Sequence, residues 1–163
     1  VPPPSGVNVI PVQSAQDMLS AVEQALPADA AVFAAAVADW RVDNASGSKI
    51  KKDGSGALPT LSFAENPDIL ATIAQLPPGA RPPLVVGFAA ETNDMIANAT
   101  AKRKRKQCDW IVANDVSPET GIMGGSENDV MLISDSGSED WPRMSKEAVA
   151  EKLAQKIAQE LTQ

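Results

Sequence analysis

Histidine and tyrosine are absent from the 163 residues, and cysteine occurs once, at Cys108. Without histidine the chain has no imidazole base, no Ser-His-Asp triad and no histidine-ligated metal of its own. One cysteine excludes an internal disulfide framework and a CxxC zinc or redox pair. Long apolar runs are missing too: the longest, residues 30–38, falls far short of the ~20 that cross a bilayer. No charged segment followed by an apolar one marks a signal peptide, so the cytoplasm is the expected location. Positive charge is scarce, with 14 Lys+Arg against 21 Asp+Glu and a net charge of −7, which argues against a general nucleic-acid binder. Neither GxGxxG after a strand nor a P-loop occurs, so any phosphate must be held by side-chain cations and a helix N-terminus.

What remains is a globular composition, 44% hydrophobic and 21% charged, with the length of one domain. Residues 1–6, opening on Val1 and running through Pro2, Pro3 and Pro4, read as a stiff linker remnant, and residues 7–163 as the domain. The β-branched stretch 7–12 predicts a short strand. Ser14 predicts a cap for a helix carrying Met18, Leu19, Val22 and Leu26 on one face, stopped by Pro27. The small apolar run 30–37 predicts a strand buried on both faces, and 58–63 an edge strand. Asn66-Pro67-Asp68 predicts a helix start with Asn66 as cap and Pro67 in the first turn. Strands are expected over 84–90, 110–113 and 129–134, with helices over 93–106 and from Ser145 onward. Strands alternating with helices mean an α/β, doubly wound, mainly parallel sheet with a small antiparallel extension.

In such a sheet ligands lie beyond the carboxyl ends of the strands. Three of these ends are small or polar: Ala38-Asp39, residues 89–93, and Asn114-Asp115. Each alone reads as a cap or turn; together they point to one crevice. Residues 43–56 form a Ser, Asn and Gly-rich loop around Lys49, Lys51 and Lys52, and long loops in compact domains are functional or disordered. Lys102 and Lys106 are four apart and share a helix face, with Arg103 and Arg105 pointing elsewhere. The run 102–106 reads as a solvated helix end, a small-anion site or, without aromatic interleaving to support it, a nucleic-acid patch. Asp39 reads as a Mg²⁺ ligand acting with substrate phosphates, or as a partner of Arg41 or a backbone amide. Cys108 reads as a structural thiol.

Six motifs occur in one order: residues 35–40 (AAVADW), Lys49-Ile50-Lys51-Lys52, Asn66-Pro67-Asp68-Ile69, residues 87–92 (GFAAET), Lys102 with Lys106, and Ala113-Asn114-Asp115. In that order and spacing the chain, from Val7 to its end, closely resembles the phosphopantothenoylcysteine synthetase family, the ligase domain of bacterial bifunctional coenzyme A biosynthesis proteins. The resemblance implies a Rossmann-like fold and a reaction. CTP activates the carboxylate of 4′-phosphopantothenate as an acyl-cytidylate with loss of pyrophosphate, and the amine of L-cysteine then displaces CMP. It implies nucleotide contacts at Ala34, Ala35, Ala36, Asp39, Lys49, Asn66, Pro67, Asp68, Ile69, Phe88, Lys102 and Lys106. Lys49 is implied as the catalytic lysine, with Lys51, Lys52, Asn114 and Asp115 as further substrate or loop contacts. Mg²⁺ or Mn²⁺ is implied with the nucleotide, Asp39 being its ligand, and a homodimer formed through this domain within a larger oligomer. The family's first strand-helix unit does not precede Val7, and neither does its flavin-dependent half, so the stretch is expected to be the larger C-terminal part of the domain, with no FMN. The competing expectation is a non-catalytic nucleotide-binding or regulatory module on the same fold.

Overall fold

A computed structural model describes residues 5–43, 60–117, 122 and 125–162. The first helix, α1 (Ala15–Gln24), starts as expected: Ser14 Oγ accepts the Asp17 N–H at 3.1 Å while the Asp17 carboxylate accepts the Ser14 N–H at 3.0 Å. Then follow β1 (Ala30–Phe33), β2 (Trp40–Val42), β3 (Phe63–Glu65), α2 (Ile69–Ala74), β4 (Leu84–Glu91), α3 (Met95–Lys106) and β5 (Trp110–Asp115). The chain continues through β6 (Glu127–Asn128), β7 (Val130–Ser134), β8 (Gly137–Asp140), β9 (Met144–Ser145) and α4 (Lys146–Leu161).

The main sheet has the order β1-β4-β5-β7-β8. β1, β4 and β5 run parallel, and β7 and β8 add the antiparallel extension. Strands β4 and β5 are central and nearly continuous in apolar residues because both their faces are covered. On one face Leu84, Val86, Val112, Leu132 and Trp141 meet Val149 and Leu153 of α4. On the other Val85, Ala89, Ile111 and Ile133 meet Ala74 at the end of α2 and Ala99 of α3. Each fully buried Val or Ile contributes ~1.5–3 kcal/mol, so the period-2 split between two helical layers pins the register. The closest approach is at Gly87, where a Cβ would lie 2.6 Å from Leu70 Cδ2 of α2 and 2.9 Å from Ile111 Cδ1. No helix among the described residues is long and apolar enough to cross a membrane.

Four sequence expectations need correction. Residues 7–12 form no strand: Val7, Val9 and Ile10 stay exposed, since β-branched composition makes no ladder without a partner strand. The run 30–37 is a strand only to Phe33, and it is the sheet edge rather than a doubly covered strand, with Val32 46% exposed. Its alanines satisfied the composition test but bring too little side chain to define both faces. The strand expected over 58–63 is shifted to Phe63–Glu65 and pairs with β2 in a separate ribbon; residues 58 and 59 lie outside the described residues. Finally, Asp68, not Asn66, caps α2, and Pro67 precedes the cap.

Candidate functional site

The structure opens a cleft of ≈ 410 Å³ at the exit of β1, walled by α1, the start of α2 and the last turns of α3. Beyond Phe33 the chain has no regular structure through Ala38; its side chains are mostly methyl groups, the stretch is exposed, and Ala34, Ala35, Val37 and Ala38 line the opening. That segment is held from across the cleft. Asn66 Nδ2 donates to the Ala38 carbonyl at 2.9 Å and the Asn66 backbone N–H donates to the Asp39 carbonyl at 2.8 Å. The amide that composition assigned to a helix cap is therefore used as a staple between two loops.

Two lysines supply the positive charge. Lys102 reaches back over the sheet and donates from Nζ to the Phe88 carbonyl at 2.8 Å. Lys106, one turn further along α3, forms an ion pair with the Asp68 carboxylate. Burial alone would raise the Asp68 pKa. The Lys106 hydrogen bond, the Ala71 backbone N–H, and the charges of Lys106 and Arg105 outweigh it and hold the carboxyl below its ordinary value. Lys102 makes no ion pair with any described residue, and the Phe88 carbonyl dipole is the partner its ammonium has there.

The cleft thus gathers Ala34, Ala35, Asp39, Asn66, Pro67, Asp68, Ile69, Phe88, Lys102 and Lys106. Ala36 lines the adjoining groove, ≈ 440 Å³, that runs past Ser14 and Arg41. Asn114 and Asp115 are not in the cleft wall. They pair with Ala90 and Glu91 at the end of β5, where Asp115 accepts the Ser117 N–H at 2.8 Å, first of the bonds that lower its pKa. The three strand ends therefore do not converge as expected: β4 reaches the cleft through Phe88, one strand position earlier. Lys49, Lys51 and Lys52 lie outside the described residues. Composition did not single out the apolar wall of Met18, Val22, Val32, Val37 and Leu70; the only signal was that Met18 and Val22 share the apolar face of α1.

The basic run also resolves. Arg103 is no solvated cation: it is 9% exposed, donates to the Cys108 and Asp109 carbonyls and pairs with Asp135. Arg41 pairs with Asp43 at 3.7 Å, not with Asp39. For a metal, no cluster of three or more His, Cys, Asp or Glu exists among the described residues. Asp39 presents one exposed carboxylate to the cleft and the other lining carboxylate, Asp68, is paired with Lys106, a donor set that fits a cation arriving on phosphates and would not build a resident cage.

Residues 1–161 match the family described as the DNA/pantothenate metabolism flavoprotein C-terminal domain. The chain is 39% identical over 155 residues to the coenzyme A biosynthesis bifunctional protein CoaBC of Vibrio parahaemolyticus, covering 94% of the chain and 38% of that protein. It is 36% identical over 159 residues to the protein of the same name in Escherichia coli, covering 96% of the chain and 39% of the relative. The chain therefore spans about two fifths of the length of the curated relatives it matches. Among solved structures, the C-terminal domain of CoaBC superposes with a TM-score of 0.75 at 30% identity, over 99% of this chain and 70% of that one. The DNA/pantothenate metabolism flavoprotein from Streptococcus pneumoniae, at 17% identity and a TM-score of 0.72 over 98% of this chain and 76% of that one, shares the fold.

Proposed function

The chain belongs to the family of the DNA/pantothenate metabolism flavoprotein C-terminal domain, and on that premise we propose that it serves coenzyme A biosynthesis by joining 4′-phosphopantothenate to L-cysteine at the expense of CTP. The observation that carries this reading is the placement of Lys102 and Lys106, one helical turn apart, on the same cleft as the small exposed residues Ala34, Ala35 and Ala38. Cations meet the triphosphate, and these small residues meet the base and sugar.

The reaction suits a chain without histidine. The nucleophile toward the α-phosphorus is a carboxylate, ionised well below neutrality, so the first step needs no general base. It needs alignment and neutralised phosphate charge. Lys102 and Lys106 provide charge from α3, and Lys49 is the catalytic lysine. When bound, Mg²⁺ or Mn²⁺ neutralises triphosphate charge, and Asp39 is the residue that would hold it. The Asn66 staple keeps Asp39 at the cleft rim. Cysteine's amine then attacks the acyl carbon, and CMP, a good leaving group, departs. A cytoplasmic homodimer, within a larger oligomer, completes the proposal.

Pyrophosphate release that requires both CTP and 4′-phosphopantothenate, with CMP appearing on addition of cysteine, tests the reading. Lys102→Met is expected to weaken CTP binding roughly tenfold to a hundredfold, the equivalent of one charge-assisted hydrogen bond, while the fold loses only the bond to the Phe88 carbonyl, ~1 kcal/mol. Unaltered affinity would remove Lys102 from the site. CTP binding without any release would instead mark a non-catalytic nucleotide-binding module.

A further inference from the structure

Asp68 uses its two carboxylate oxygens for different purposes. Oδ1 accepts the Ala71 N–H at 3.1 Å and caps α2, and Oδ2 accepts from Lys106 Nζ. The lysine side chain is 19% exposed and the aspartate side chain 46%, so the pair sits at the cleft wall, within reach of whatever fills the cleft. Lys102 beside it has no such partner among the described residues. The two cations are therefore unequal: one is open to an anion, the other already holds one.

A phosphate oxygen that approaches Lys106 must share the ammonium with Asp68 or displace it. The lysine backbone is fixed in the last turn of α3 and the aspartate backbone at the start of α2, so neither partner leaves the cleft when the pair opens. We propose that Asp68 is a positioning residue that holds Lys106 at the cleft and competes with the ligand's phosphates for it. This inference rests on the reading of the cleft as a nucleotide site, and it gives Asp68 a different part from the direct nucleotide contact that the resemblance implies. Lys106 is held pointing at the cleft before the ligand arrives, and the ion pair tempers the affinity for polyanions.

Asp68→Asn separates the two purposes, because an asparagine still caps α2 but no longer competes as an anion. Calorimetry on the whole chain with inorganic tripolyphosphate, which lacks base and sugar, and in parallel with CTP, tests the proposal. Asp68→Asn is expected to tighten both ligands by the same factor, roughly twofold to fivefold, the scale of a part-exposed ion pair. In a Lys106→Met background the Asp68→Asn change should have no effect on either ligand, and pyrophosphate release at saturating CTP should slow in Asp68→Asn alone. Weakened CTP with unchanged tripolyphosphate would overturn the proposal in favour of a sugar or base contact. Tightening that persists in Lys106→Met would overturn it in favour of simple charge repulsion, and no change for either ligand would overturn it outright. Wild-type protein that binds neither ligand removes the nucleotide reading and this proposal together. Tripolyphosphate behaviour as expected with no CTP binding removes only the reading of the substrate.

Discussion

Asp109 carries a stability prediction that can be worked through from its contacts. Its Oδ2 accepts the backbone N–H of Val85 at 2.6 Å and the Arg81 guanidinium at 2.7 Å, while its own N–H donates to the Val85 carbonyl at 2.9 Å. Val85 is fully buried, and the β4–β5 ladder begins one residue later at Val86, so a side chain, not a strand, satisfies that N–H. In Asp109→Ala the buried donor is orphaned at a cost of ~1–3 kcal/mol, and the part-exposed Arg81 pair is lost for ~0–1 kcal/mol more. Arg81 keeps its bonds to the Ala74 and Pro82 carbonyls, which limits the second loss. The central expectation is ~2–3 kcal/mol, which for a chain of this length lowers Tm by about 4–12 °C. Asp109→Asn retains an acceptor for Val85 and should lose under ~1 kcal/mol. Urea denaturation followed by circular dichroism measures both. Because Arg81, Val85 and Asp109 do not line the cleft, CTP affinity of the folded variants should not change. An alanine variant as stable as wild type, or an asparagine variant as damaged as the alanine one, would refute the reasoning.

Glu139 accepts from Lys156 and from the Trp141 indole N–H, and these bonds, the Lys156 one first, outweigh its slight burial and hold its carboxyl below the ordinary 4.5. A depressed folded value means the contribution is complete above the unfolded value of 4.5 and is lost as pH falls through the lower folded one. The stability gap between wild type and Glu139→Gln should therefore be flat above 4.5 and shrink on acidification, and a gap constant into strong acid would contradict the assignment. Cys108 is 3% exposed, and burial pushes its thiol pKa up. Alkylation by iodoacetamide should be slow in the native protein and rise along the urea unfolding curve; equal rates in folded and unfolded protein would show that the thiol is not shielded.

The central strands were readable because their pattern is redundant. Residues 84–90 and 110–113 are apolar at every position, which only a doubly covered strand tolerates, and β4 and β5 lie there. Caps set by chemistry between near neighbours were readable as well, as Ser14 and Ser145 show. Asn66 misled because an asparagine before Pro-Asp satisfies the rule for a cap, and nothing local reveals a carbonyl at Ala38, 28 residues away, that claims the same amide. The run 30–37 misled for a different reason: alanine is compatible with burial and with exposure, so only the position of β1 at the sheet edge decides.

Among the cleft residues, composition and spacing already carried the inventory: lysines, one-turn spacing on α3, small residues at a strand exit, and no histidine to act as a base. These are matters of side-chain type and of period along one element. The partners came from the packing of distant elements, because hydrogen bonds and ion pairs join elements whose separation along the chain carries no local signal. It paired Lys106 with Asp68, turned Lys102 onto Phe88, buried Arg103 and left Asn114 and Asp115 outside the cleft. Five consecutive cations thus became a buried anchor, a latched lysine, an open lysine and two solvent-facing charges, a division set by which side of α3 meets the sheet.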